Sequence, residues 1–70
     1  MSPTNIFEVA ARRRRLNITQ RSVEIELDWP SGALGAVEDG RIPTSEMAAQ
    51  MVGEVLDRIV SQEVEKEAVA

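Results

Sequence analysis

The sequence predicts an all-α domain of four, or at most five, helices, the last of them extended. Three observations carry this. Apolar residues recur at spacings of three and four in separate segments. Each segment is bounded by residues that start or stop helices. No stretch alternates apolar and polar residues for long enough to read as a strand.

The first helix is expected after Met1 to Thr4, with Ser2 or Thr4 as N-cap and Pro3 tolerated in its first turn. Ile6, Phe7, Val9, Ala10 and Leu16 form its apolar stripe. Asn17 is its stop, because asparagine tolerates the left-handed conformation that ends many helices. Thr19 is the N-cap of a second helix that buries Val23 and Leu27 and ends near Asp28. Trp29-Pro30 marks a break, since a proline disfavours helix at the residue before it. Pro30 itself can open a third helix, which buries Leu34 and Val37 and ends at Gly40. After Arg41-Ile42-Pro43, Thr44 or Ser45 caps the last helix, expected over 44–64. Its stripe is Met47, Ala48, Met51, Val52, Val55, Leu56, Ile59, Val60 and Val64. Residues 65–70 are expected to fray.

Seventy residues allow one domain, 1–70, with a modest core. The chain holds no Cys and no His. Disulfides and the usual zinc and haem ligands are therefore out, and neither a metal nor a cofactor is expected. No secretory leader and no apolar run of bilayer length are read, so a cytoplasmic location without membrane contact is expected. With no His, Cys or Tyr to supply a nucleophile or base, an enzyme is not predicted. The net charge is -4, but it is unevenly spread. Residues 1–22 carry +4, through Arg12 to Arg15 and Arg21, whereas 23–43 and 44–70 carry -4 each. A phosphate-binding face is therefore expected in the first segment, with the acidic remainder turned away.

Ile18-Thr19-Gln20, then Val23, Leu27, Leu34, Val37-Glu38 and Gly40, with Arg13 seven residues before Gln20, resembles the phage-repressor/Cro (lambda-repressor-like, XRE-type) helix-turn-helix family. The resemblance covers about residues 6–56, with the motif itself at 19–40. Pro43-Thr44 resembles the Pro-Ser that opens the fourth helix in many members. The resemblance implies a partly buried ion pair between Arg13 and Glu38. It also implies that Gln20 meets a phosphate at the start of the second helix, and that Ser31, Gly32, Gly35 and Ala36 face the major groove. The DNA-binding residues expected on this basis are Arg13, Gln20, Arg21, Ser31, Gly32, Gly35, Ala36 and Arg41. Arg14 is expected to face solvent or a partner. Three positions depart from the family. Glu24 stands where an alanine is usual, Asp28 replaces the turn glycine, and Trp29 replaces a small residue. The reading helix also carries no Arg, Lys, Gln or Asn.

The expected function is sequence-specific binding of double-stranded DNA as a repressor- or Cro-like regulator of phage or mobile-element type. The C-terminal stripe is wider than one small domain needs, so Val52, Val55, Leu56, Ile59 and Val60 are expected to form a homodimer seam. The alternative is a helix-turn-helix module, or an antitoxin, that binds a regulatory protein partner through its Gly/Ala-rich helix and DNA weakly or not at all.

Overall fold

The computed structural model describes residues 5–69, with side chains described as far as Val64. It is all-α: α1 Ile6–Arg15, α2 Gln20–Leu27, α3 Ala33–Glu38 and α4 Glu46–Val69. Among the described residues there is no strand, and no helix is long and apolar enough to cross a membrane. The candidate caps Ser2 and Thr4 lie outside the described residues. Asn5 instead caps α1, its Oδ1 accepting the Phe7 N–H at 2.7 Å.

The first three helices stop in the same way. Asn17 (φ 59°), Asp28 (φ 57°) and Gly40 (φ 77°) each turn left-handed within two residues of a helix end. In each case the following N–H reaches back to a carbonyl five residues earlier: Ile18 to Arg13, Trp29 to Glu24, and Arg41 to Ala36. This double-bonded termination satisfies carbonyls that the helix leaves open. The starts are also set by side chains. Thr19 Oγ1 accepts the Ser22 N–H at 3.1 Å, and Ser45 Oγ accepts that of Ala48 at 3.1 Å.

Two expected boundaries move. Pro30 does not open α3. Pro30 to Gly32 form a turn in which the Ala33 N–H returns to the Pro30 carbonyl, and Gly32, at φ 90°, cannot continue a right-handed helix. The last helix runs past its expected end at 64. The backbone stays helical to Val69, because Glu65-Lys66-Glu67-Ala68 contains good helix formers and no breaker.

The core joins Ile6, Val9, Val23, Leu34, Val37, Ala49, Val52, Val55 and Leu56, with Ile18, Leu27, Trp29 and Ile59 packed against it. Some expected stripe members are instead exposed, among them Phe7, Leu16, Met47 and Met51. The two alanines in the stripes differ: Ala10 is buried and Ala48 half-buried. Helices α3 and α4 each lie close against α1 and α2, with no close backbone approach to each other among the described residues. The short α3 is thereby presented on a side that α4 does not cover.

The three left-handed stops make a prediction. Asp28 is exposed, and a side chain in that conformation carries a steric penalty that glycine avoids. Asp28→Gly should therefore raise the unfolding free energy by about 0.5–1 kcal/mol. Denaturant titration checks it, with a higher midpoint at unchanged slope as the expected result.

Candidate nucleic-acid interface

The site is built around one buried fork. Arg13, on the inward face of α1, and Glu38, the last residue of α3, are 8% and 5% exposed. Arg13 Nε donates to Glu38 Oε2 at 2.8 Å, and Nη2 donates to Oε1 at 3.0 Å. The remaining nitrogen, Nη1, donates to the Ile18 carbonyl at 2.7 Å, in the turn between α1 and α2. Two parallel bonds to a carboxylate are the strongest geometry available to a guanidinium.

Gln20, the first residue of α2, joins the same centre: its Nε2 donates to Glu38 Oε1 at 2.9 Å. Arg14 Nη2 stands 3.9 Å from that oxygen. Burial pushes the Glu38 carboxyl up. The hydrogen bonds from Arg13 and Gln20 and the charges of Arg13 and Arg14 outweigh it, and hold Glu38 below its ordinary value near 4.5.

The expected contact residues separate into three groups. Arg13 is buried and fully engaged, so it positions its neighbours and offers little surface to a phosphate. Gln20 is half-buried and Arg21 exposed, both in the first turn of α2. Thr19 caps the Ser22 N–H, while the N–H groups of Gln20 and Arg21 have no partner among the described residues. Such a helix start attracts an anion.

Ser31 and Gly32 are exposed in the turn before α3, and Gly35 and Ala36 are half-buried on it. Gly35 sits beside Gln20: a Cβ there would lie 3.4 Å from Gln20 Oε1, an ordinary van der Waals contact. Arg41 is exposed beyond α3, its Nη2 3.3 Å from Asp39 Oδ2.

Arg14 faces solvent, and its Nη2 also stands 3.9 Å from the Glu38 oxygen that accepts from Gln20, close to the start of α2. The signal for this proximity was its place next to the inward-facing Arg13, which only the α1–α3 packing makes readable. Glu24 was noted as a departure, and its surroundings explain how it is tolerated. It is 2% exposed, and its Oε2 accepts the Leu34 N–H at 2.9 Å. A carboxylate on α2 thus caps α3, whose own N-cap residue, Gly32, has no side chain to do so.

The expected dimer seam also needs correction. Val52, Val55 and Leu56 are at most 1% exposed and belong to the internal core. That half of the stripe is taken up in covering α1 and α2. Ile59 and Val60 remain half-buried and line a groove of about 440 Å³ with Leu16, Ile18 and Val64. Ile25, 62% exposed, flanks Ile59 on its other side.

The ion pair makes a prediction for acid stability. A carboxyl held low in the folded chain adds stability above its unfolded value, and loses it as pH falls through the folded one. Stability should therefore decline as pH drops from about 4.5. Glu38→Gln leaves Arg13 buried without its counter-charge, which should cost about 3–5 kcal/mol. It should also flatten the part of the acid decline that Glu38 contributes. Urea titrations of both proteins from neutral pH to below pH 4 measure the two effects (urea leaves charge screening unchanged).

No family model, no curated protein and no solved structure matches this chain, so the geometry of these residues carries the functional reading.

Proposed function

We propose that this chain is a lambda-repressor-like helix-turn-helix regulator that binds double-stranded DNA. On this reading the first turn of α2 meets a phosphate through the N–H groups of Gln20 and Arg21. Arg14 and Arg21 add charge beside it. Helix α3 then lies in the major groove. Its small residues admit close backbone approach, and Ser31 is the one hydrogen-bonding side chain at its leading edge. The observation that carries the reading is the Arg13–Glu38–Gln20 network. It holds the start of α2 and the end of α3 in one frame, with cationic side chains around it.

Few side chains on α3 can read base edges, so one copy has little means of choosing a sequence. A homodimer supplies the rest on this reading, because two half-sites about 34 Å apart add a spacing requirement. Its seam is the outer surface of Ile59 and Val60 with Leu16 and Ile25, which remains after the inner stripe is buried. The reading as a protein-binding module is favoured by one observation. Arg14, Arg21 and Arg41 each already have a carboxylate within 4 Å.

Selection of bound sequences from random duplex DNA, followed by a salt titration, separates the two. The DNA reading expects a palindrome. It also expects affinity that falls with salt at a log–log slope of about -0.9 for each phosphate engaged. No enrichment and no binding at low salt would sink it in favour of the protein-binding module.

For the dimer, Ile59→Glu with Val60→Glu should shift sedimentation from dimer to monomer without unfolding, since both side chains are only half-buried. A wild-type protein that sediments as a monomer removes the seam.

A further inference from the structure

Glu24 does more than cap α3. Its Oε2 is committed to the Leu34 N–H, whereas Oε1 lies 3.7 Å from Arg21 Nη1. The Glu24 side chain is nearly inaccessible, while Arg21 is more than half exposed. A carboxylate this buried depends on its nearest cation, because water cannot replace it. No other arginine among the described residues is ion-paired with Glu24. Arg21 is one turn of α2 away, so it can swing between Glu24 and solvent without moving the backbone.

We infer that Glu24 is an affinity-limiting positioning residue, which holds Arg21 on the protein and makes DNA phosphate compete with a buried carboxylate for it. This rests on the DNA-binding reading. The competition acts on a contact that carries no base information, so it weakens binding to every sequence alike. On a domain whose reading helix is nearly bare of base-reading groups, that restraint keeps the backbone contacts from dominating. The occupant of the contact is duplex DNA through its phosphates. The restraint is built from one side chain on α2 and tied to the helix that enters the groove.

Glu24→Gln tests it. The amide oxygen can still accept the Leu34 N–H, so the cap survives while the charge is lost. Binding to a duplex of unrelated sequence should tighten roughly fivefold at 50 mM salt, and its log–log salt slope should steepen by about 1. The gain should vanish when Arg21→Ala is added, which marks it as acting through Arg21.

Side-chain NMR of Arg21 in the free protein gives a second reading, with Arg21 more mobile in the variant. Should Glu24→Gln unfold the domain, single Arg14→Ala and Arg21→Ala variants compare the two cations: Arg21→Ala should weaken binding to the unrelated duplex less than Arg14→Ala does, and an equal or larger loss would overturn the proposal. Unchanged affinity and slope in a protein that binds DNA would overturn the proposal and leave the DNA reading standing. A gain that persists without Arg21 would do the same. If no variant binds duplex DNA at low salt, both fall together, whatever the NMR shows.

Discussion

The arrangement depends on a guanidinium with nowhere else to go. Arg13 is buried on α1 and needs a counter-charge that stays in place, because a desolvated cation without one is costly. Glu38 supplies it from the end of α3, across 25 residues of chain. The same guanidinium holds the Ile18 carbonyl, which fixes the turn that leads into α2. The fork therefore sets three things together: the angle of α3 against α1, the exit of α1, and the point where α2 begins. Gln20 closes the set by donating to Glu38 from the first turn of α2. Apolar packing of Val23, Leu34 and Val37 supplies adhesion but little direction. The fork supplies the direction, because two parallel hydrogen bonds tolerate little rotation.

A second carboxylate does for the front of α3 what Glu38 does for its end. Helix α3 is only six residues long and would not hold its shape alone. Glu24 satisfies a donor in its first turn, and Gly40 closes its last turn through the Arg41 N–H. Both ends of the short helix are thus fixed by groups outside it. This also explains why its sequence can be so plain. Gly35 and Ala36 need not stabilise the helix themselves, because groups outside it hold both of its ends. Positional accuracy comes from the neighbours and small size from the helix itself, which is the combination that close approach to another surface requires.

Much of this was legible in the sequence, for identifiable reasons. The stops at Asn17, Asp28 and Gly40 were readable because left-handed backbone admits few residue types, and the start at Thr19 because its oxygen suits a helix cap, whereas Thr44 and Ser45 were equal candidates for the last helix. The Arg13–Glu38 pair entered through family resemblance, and its geometry could not be read from spacing. What stayed hidden depended on three-dimensional neighbours. Glu24 read as a misfit because its partner is a backbone N–H ten residues away, which no side-chain pattern reports. The start of α3 moved from Pro30 to Ala33 because Gly32 adopts a positive φ, which a glycine permits but does not announce. In α4 the stripe was visible, but the division between inner Val52, Val55 and Leu56 and outer Ile59 and Val60 depends on where α1 and α2 end.

The charge pattern then acquires a physical sense that its sum lacks. Among the described residues six arginines are ion-paired, and Arg15 is not one of them. Arg12 with Asp57 and Arg58 with Glu26 lie on the α4 side, where they tie α1 and α2 to the long helix. Arg14 and Arg21 lie at the start of α2, beside carboxylates that are almost wholly buried. Those two classes of pair respond differently to an approaching anion. An exposed carboxylate that loses its arginine is simply rehydrated, at little cost. A buried one is not, so an anion that draws its arginine away must offset a charge left without its partner. Glu38 keeps Arg13 whatever Arg14 does, and so can release Arg14 cheaply. Glu24 has no second arginine. On the proposed DNA-binding reading, the two cations beside one helix start are therefore unequal: Arg14 would be the ready contact and Arg21 the restrained one. The asymmetry follows from which carboxylate has a second guanidinium beside it.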